Sequence, residues 1–147
     1  MRDDEAALRA RASQLESDAT NASIQRNDYA GAIALNLQCA EVARTLGDVE
    51  MEMRALLRCG ECWNTLGQLE RALDFYGQVR KRAQVSGQPA AEADALIRTS
   101  AVFAQQRRND EALAAIREGV RLALTCSKPD LRASRLDAAA YACRWIG

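Results

Sequence analysis

Apolar side chains recur along this chain three and four positions apart, in stretches separated by single glycines, prolines or short polar steps. In the stretch 49–66, VEMEMRALLRCGECWNTL, the residues Met53, Leu56, Gly60 and Trp63 fall on one helical face. In 68–86 the same is true of Leu69, Ala72, Leu73, Tyr76, Val79 and Ala83. The stretches 89–106 and 109–125 repeat the arrangement. Period-two alternation of useful length is absent, so no strand is expected. Gly47 and Gly87 are placed to end helices and Asp48 to cap the next one. Pro89 and Pro129 stand where a first helical turn accepts proline. The pattern predicts an all-α chain of seven helices, at about 2–26, 28–46, 48–66, 68–86, 89–107, 109–126 and 129–146. They form three antiparallel pairs and one unpaired last helix.

The pattern also repeats at a fixed step of forty residues. Ala32, Ala72 and Ala112 obey it, as do Ile33, Leu73 and Leu113, and Ala43, Ala83 and Ala123. Leu56, Leu96 and Leu136 form a further series, and the breakers Gly47, Gly87 and Ser127 keep the same spacing. A period of this length signals stacked supersecondary units, each too small to bury its own apolar face. The chain reads as a single repeat domain, 1–147, with repeats at about 2–46, 48–86 and 89–126 and a half repeat at 129–147.

The second unit, Leu56-x2-Cys59-Gly60-x2-Trp63 followed by Ala72-x3-Tyr76, resembles the tetratricopeptide repeat (TPR) family. The third matches through Leu96, Thr99, Ser100, Phe103, Ala112 and Ile116, and the fourth begins with Leu136, Ala139, Ala140 and Cys143. In the first unit, Leu15, Ala19 and Ala22 fit if its turn is one residue longer. The standard repeat has about thirty-four residues, so the forty here resembles the long-repeat branch that includes LGN-like and MalT-like proteins. That resemblance implies a right-handed α-solenoid. First helices would line a concave groove for a peptide or helix of a partner protein, and second helices would form the convex back.

Chemistry is sparse. The 147 residues carry twenty basic and twenty acidic side chains and no histidine, which removes the commonest general base and metal ligand. Charge balance favours neither nucleic acid nor membrane, and no apolar run approaches a membrane span. The N-terminus lacks the apolar core of a signal peptide, which points to the cytoplasm and to reduced thiols for the five cysteines. The C-x-x-C of Cys59 and Cys62 lies mid-helix, away from the helix N-terminus that would activate a thiol, and reads as packing. The pairs Asp3/Asp4, Glu50/Glu52 and Glu92/Asp94 read as solvated helix faces, and the basic clusters at 80–82 and 107–108 as solubility. A non-enzyme without cofactor or metal is expected.

On the resemblance, the groove is lined by Arg54, Leu57, Arg58, Glu61 and Asn64, then Asp94, Ile97, Arg98, Ala101 and Gln105, then Asp137, Tyr141 and Arg144. Leu57, Glu61, Ile97 and Ala101 stand where chaperone-tail binders carry their lysine and asparagine set, so that function is not expected. The last helix has no second helix to cover it. Leu136, Ala140, Cys143 and Ile146 are expected to point inward, with Tyr141 and Trp145 toward the groove. Either the chain is a fragment of a longer solenoid, or Leu136, Ala140, Trp145 and Ile146 form an end-docking surface, for a homo-oligomer among other partners. The expected function is thus a protein-binding scaffold. The alternatives are a self-associating assembly module and a ligand-sensing regulatory domain.

Overall fold

The computed structural model describes residues 2–126, 129–144 and 146, of which 129–134 and 142 by backbone alone. Among these residues there are seven helices and no strand: α1 (Arg2–Ile24), α2 (Tyr29–Leu46), α3 (Val49–Thr65), α4 (Leu69–Ser86), α5 (Pro89–Gln105), α6 (Asn109–Leu124) and α7 (Pro129–Cys143). Each starts and ends close to the boundaries that the periodicity predicts. The chain divides into two compact units, Met1–Phe75 and Tyr76–Gly147, with the boundary inside α4. In the first unit α2 packs against both α1 and α3. In the second, α5, α6 and α7 pack against one another.

The turns explain the regular helix lengths. Residues with φ in the left-handed region occur every twenty positions: Asn27 at 52°, Gly47 at 69°, Gly67 at 76°, Gly87 at 65° and Arg107 at 61°. At Gly47, Gly67, Gly87 and Arg107 the following amide donates to the carbonyl five residues back. Thus Asp48 reaches Ala43 at 2.9 Å, and Arg108 reaches Phe103 at 2.9 Å. This doubly bonded ending satisfies carbonyls that the last helical turn leaves open. After α1 the corresponding bond runs from Asp28 back six residues, to Ala22 at 2.8 Å. That turn is one residue longer. The next helices start on side-chain caps: Asp28 accepts from the Gly31 amide at 2.9 Å, and Asp48 from Met51 at 3.0 Å.

Small residues make the close contacts. Ala32, Ala72, Ala112, Ala43, Ala83 and Ala123 are all fully buried. In the first unit Ala22, Ala32, Ile33, Cys59 and Cys62 form one apolar cluster, against which Tyr29, Leu35, Trp63 and Phe75 pack. In the second unit Ala93, Leu96, Ala115, Leu122 and Ala123 form another with Leu136. Beside it Ile97, Ile116 and Ala139 pack with Val120 and Ile146. Gly119 on α6 fits under α5, where an added Cβ would stand 3.1 Å from Ile97.

Glu52 and Glu92 correct the expectation of solvated acidic faces, for both are buried. Glu52 accepts from Arg44 Nε at 3.1 Å, and Glu92 from Gln84 Nε2 at 2.7 Å. Each donor lies eight residues earlier, in the last turns of the preceding helix. A carboxylate is tolerated there because the turn delivers a donor to it.

Candidate functional site

Two of the expected groove residues of the first unit, Arg54 and Arg58, are engaged by α1. Glu16 Oε1, on α1, accepts from Arg54 Nε at 2.7 Å and from Arg58 Nη1 at 2.8 Å, both on α3. Burial pushes the Glu16 carboxyl up, but the hydrogen bonds and positive charges of Arg54 and Arg58 outweigh it and leave the group below the usual range. Leu57 is buried and makes no open wall. Glu61 is half-buried on α3, and so is Asn64 nearer its end.

The second unit is different. A cavity of about 1050 Å³ is lined by α5 through Asp94, Ile97, Arg98, Ala101, Ala104 and Gln105, and by α7 through Ala138 and Tyr141. Arg107, Asn109 and Ile146 complete it. Six of the residues expected in the groove (Asp94, Ile97, Arg98, Ala101, Gln105 and Tyr141) are thus brought together. Ile97 is buried as part of the core and still contributes to the floor. Asp137 and Arg144 are exposed and outside the lining. The pattern missed Arg107, Asn109, Ala104 and Ala138. Arg107 was legible in one respect, because it interrupts a series of glycines and asparagine at the turns.

The walls of this cavity are tied together by Arg135 of α7, which donates through Nη2 to Asp94 Oδ2 at 2.8 Å and through Nε to the Ala90 carbonyl at 2.9 Å. Its side chain is 11% exposed. Burial raises the Asp94 carboxyl above its usual range, and the nearby Arg135 and Arg98 only partly offset it. Arg108, beside Arg107, is held by Glu111 at 2.6 Å and lies 4.3 Å over the Phe103 ring. That side chain is part of the turn and not of the lining.

No protein-family model matches the chain, and no curated protein sequence does either. The site must therefore be read from its own residues. The lining combines apolar side chains, Ile97, Ala101, Ala104, Ala138 and Ile146, with polar ones, Asp94, Arg98, Gln105, Arg107, Asn109 and Tyr141. Tyr141 is 62% exposed and brings an aromatic ring to the lining. A mixed lining of this kind suits a ligand that carries both apolar and polar groups.

Four of the five cysteines are packing residues. Cys39, Cys59, Cys62 and Cys126 are buried, and Cys59 Sγ lies 3.8 Å from the Ile33 carbonyl oxygen. Burial, with smaller effects of Cys62 and Cys39, pushes the Cys59 thiol up to about 12, so little thiolate forms near neutrality. Among the described residues no group of three or more metal-ligating side chains comes together. No described helix is long and apolar enough to cross a membrane.

The expected end-docking surface is placed differently. Leu136 and Ile146 are partly buried against the second unit's own clusters. Ala140 and Cys143, expected inward, are exposed, and Ala139 takes the buried position instead. The inward face of α7 is thus set by Ala139, which packs on Ile97 and Ile116. Trp145 lies outside the described residues.

Proposed function

We propose that this chain is a non-catalytic scaffold of the TPR-like kind, its helices stacked as antiparallel pairs in an α-solenoid. Its task is to hold a peptide or helix of a partner protein between α5 and α7. The observation that carries this reading is the cavity of about 1050 Å³, whose lining includes six of the expected groove residues. Its size lies at the upper end of small-molecule pockets, roughly 300–1,000 Å³, and its mixed lining suits a short peptide segment. The buried, unbridged cysteines fit action in the cytoplasm.

Ala101 and Ala138 offer a clean test, since both line the cavity and neither carries charge or a polar side chain. Ala138→Trp fills the space while leaving Asp94 and Arg135 intact. A partner captured from native extract by the wild-type chain should be lost with this variant, while circular dichroism stays the same. Retention of the partner by the blocked variant moves the interface away from the cavity and ends the proposal.

A further inference from the structure

The two halves of α4 belong to different units, and each half is anchored in its own. Ahead of the boundary, Ala72 is fully buried and Phe75 packs on the first unit's apolar cluster. Beyond it, Gln84 donates to Glu92 of α5 at 2.7 Å, and Arg80 stands 3.6 Å from the same carboxylate. Gly77 lies at this boundary, inside the helix, and a Cβ added there would meet nothing within 4 Å. Other helical glycines are hemmed in. A Cβ on Gly119 would stand 3.1 Å from Ile97, and one on Gly31 would run into the Asp28 carboxylate. At the forty-residue step from Gly77, Leu37 and Arg117 carry full side chains and are exposed. Lack of space therefore does not select glycine at 77, and the helix is weaker for having it.

We propose that Gly77 makes α4 a joint, at which the helix opens locally and lets each unit fluctuate as a body of its own. In an α-helix the amides of 77–79 bond to the carbonyls of 73–75, so each of these bonds spans the boundary. The helices α2 and α6 lie wholly within one unit, so an opening at their centres also disturbs the packing of that unit. An opening at Gly77 breaks backbone bonds at a residue with no side chain to unpack, while Phe75 and Gln84 keep their anchors on either side. Glycine lowers the cost further, because it regains more backbone freedom on leaving a helix than any other residue. Segments with little local packing are the ones that open below the cost of global unfolding. The inference is independent of the groove reading, since Gly77 is not in the cavity lining.

The test uses the whole chain and amide hydrogen exchange followed by NMR, on the wild type, Gly77→Ala and Arg117→Gly. In the wild type the amides of 77–79 should exchange at least about fivefold faster than those of 37–39 and 117–119, after correction for intrinsic rates. Gly77→Ala should slow 77–79 by about fivefold and leave the two reference sets within about twofold. A merely structural gain from alanine would slow all three sets together, and that result counts against the joint. Arg117→Gly places the same weakness at the centre of α6, inside one unit. It should speed 117–119 without bringing them to the rate of 77–79 in the wild type. Exchange at 77–79 that is no faster than in the reference sets, or that ignores Gly77→Ala, overturns the joint. Exchange at 117–119 in Arg117→Gly as fast as at 77–79 in the wild type shows that glycine alone is responsible, and overturns the role of the boundary.

Discussion

Glu16 and Asp94 do comparable work in the two units, each joining a helix to the next but one through arginine, yet their surroundings hold them in opposite ways. Glu16 on α1 takes two guanidinium groups from α3, whose side chains are 42% and 33% exposed at Arg54 and Arg58. Asp94 on α5 takes Arg135 of α7, which is nearly buried and also braces the Ala90 carbonyl. One pairing is partly solvated and redundant. The other is drier, and a single arginine makes both contacts. The first pairing spans residues expected in the groove, and the second borders a cavity. Pairing within the fold uses up polar groups, so a wall of charged residues is an open surface only where such pairs are confined to its edge.

The largest effects should show whether the cores of the two units are equivalent. Leu56 and Leu96 are forty residues apart and both buried. Leu56→Ala and Leu96→Ala should each lower stability by about 2–5 kcal/mol in urea unfolding. A difference greater than about 2 kcal/mol between them would show that the repeat of sequence is not a repeat of packing. Below that in size come the arginines. Arg135→Met removes both contacts of a nearly buried side chain and should destabilise by about 2–3 kcal/mol. Arg54→Met should change stability by about 0–1 kcal/mol, since Arg58 still reaches Glu16 and the pair is partly exposed. Equal losses would erase the distinction drawn between the two pairings.

Acid should separate the same two groups. The folded Glu16 carboxyl lies below its usual range, so its contribution is full above that range and is lost as pH falls through its lowered value. The folded Asp94 carboxyl lies above its usual range, so between the two values the folded chain holds a proton that the unfolded chain releases. Its contribution therefore declines as pH rises through that interval. Carboxyl carbon shifts followed by NMR should give Glu16 a midpoint below, and Asp94 one above, those of exposed residues of the same type. Midpoints in the reverse order would show that hydration, not pairing and burial, sets both groups.

A smaller contrast lies inside the cores. Asn36 on α2 is buried, and among the described residues no donor reaches its Oδ1. Two periods later Ile116 occupies the matching position on α6, buried against Ile97 and Ala139. An unsatisfied buried amide oxygen costs about 1–3 kcal/mol, so Asn36→Ile should raise the unfolding midpoint, with a gain of about 1 kcal/mol. A loss of stability would show that the amide makes a contact worth keeping.

The helices were legible because their information is local and repeated. Alanines at the forty-residue step mark the close contacts, and the glycines mark the turns. The sites were legible only where the relevant neighbours lay at the same step. Asp94, Ile97, Arg98, Ala101, Gln105 and Tyr141 were found by register and do line one cavity. That Arg54 and Arg58 both reach Glu16 was not legible, because Glu16 lies thirty-eight and forty-two residues away from them and off the forty-residue step. Glu52 and Glu92 were read as exposed because charge alone does not reveal that a preceding helix end will deliver a donor. Ala140 and Ala139 are chemically alike, so no pattern could decide which faces inward. Only the packing of α7 on α5 and α6 did.

The smallest expected effect concerns two turns that, among the described residues, close on a left-handed residue other than glycine: Asn27 in the first unit and Arg107 in the second. A residue with a Cβ is disfavoured in the left-handed region by roughly 1–2 kcal/mol relative to glycine. Glycine in turn makes the unfolded chain more flexible, which returns part of that difference. Arg107→Gly should therefore stabilise by about 0.5–1 kcal/mol, read as a higher thermal midpoint. Asparagine tolerates the same region through its short polar side chain, so Asn27→Gly should gain only a few tenths of a kcal/mol. The order of the two gains is what matters. Were Arg107→Gly to destabilise the chain, the guanidinium would be holding the turn, and its place at the cavity would be a consequence of folding. A gain at Arg107 that exceeds the gain at Asn27 shows that the arginine adds nothing to the stability of its turn.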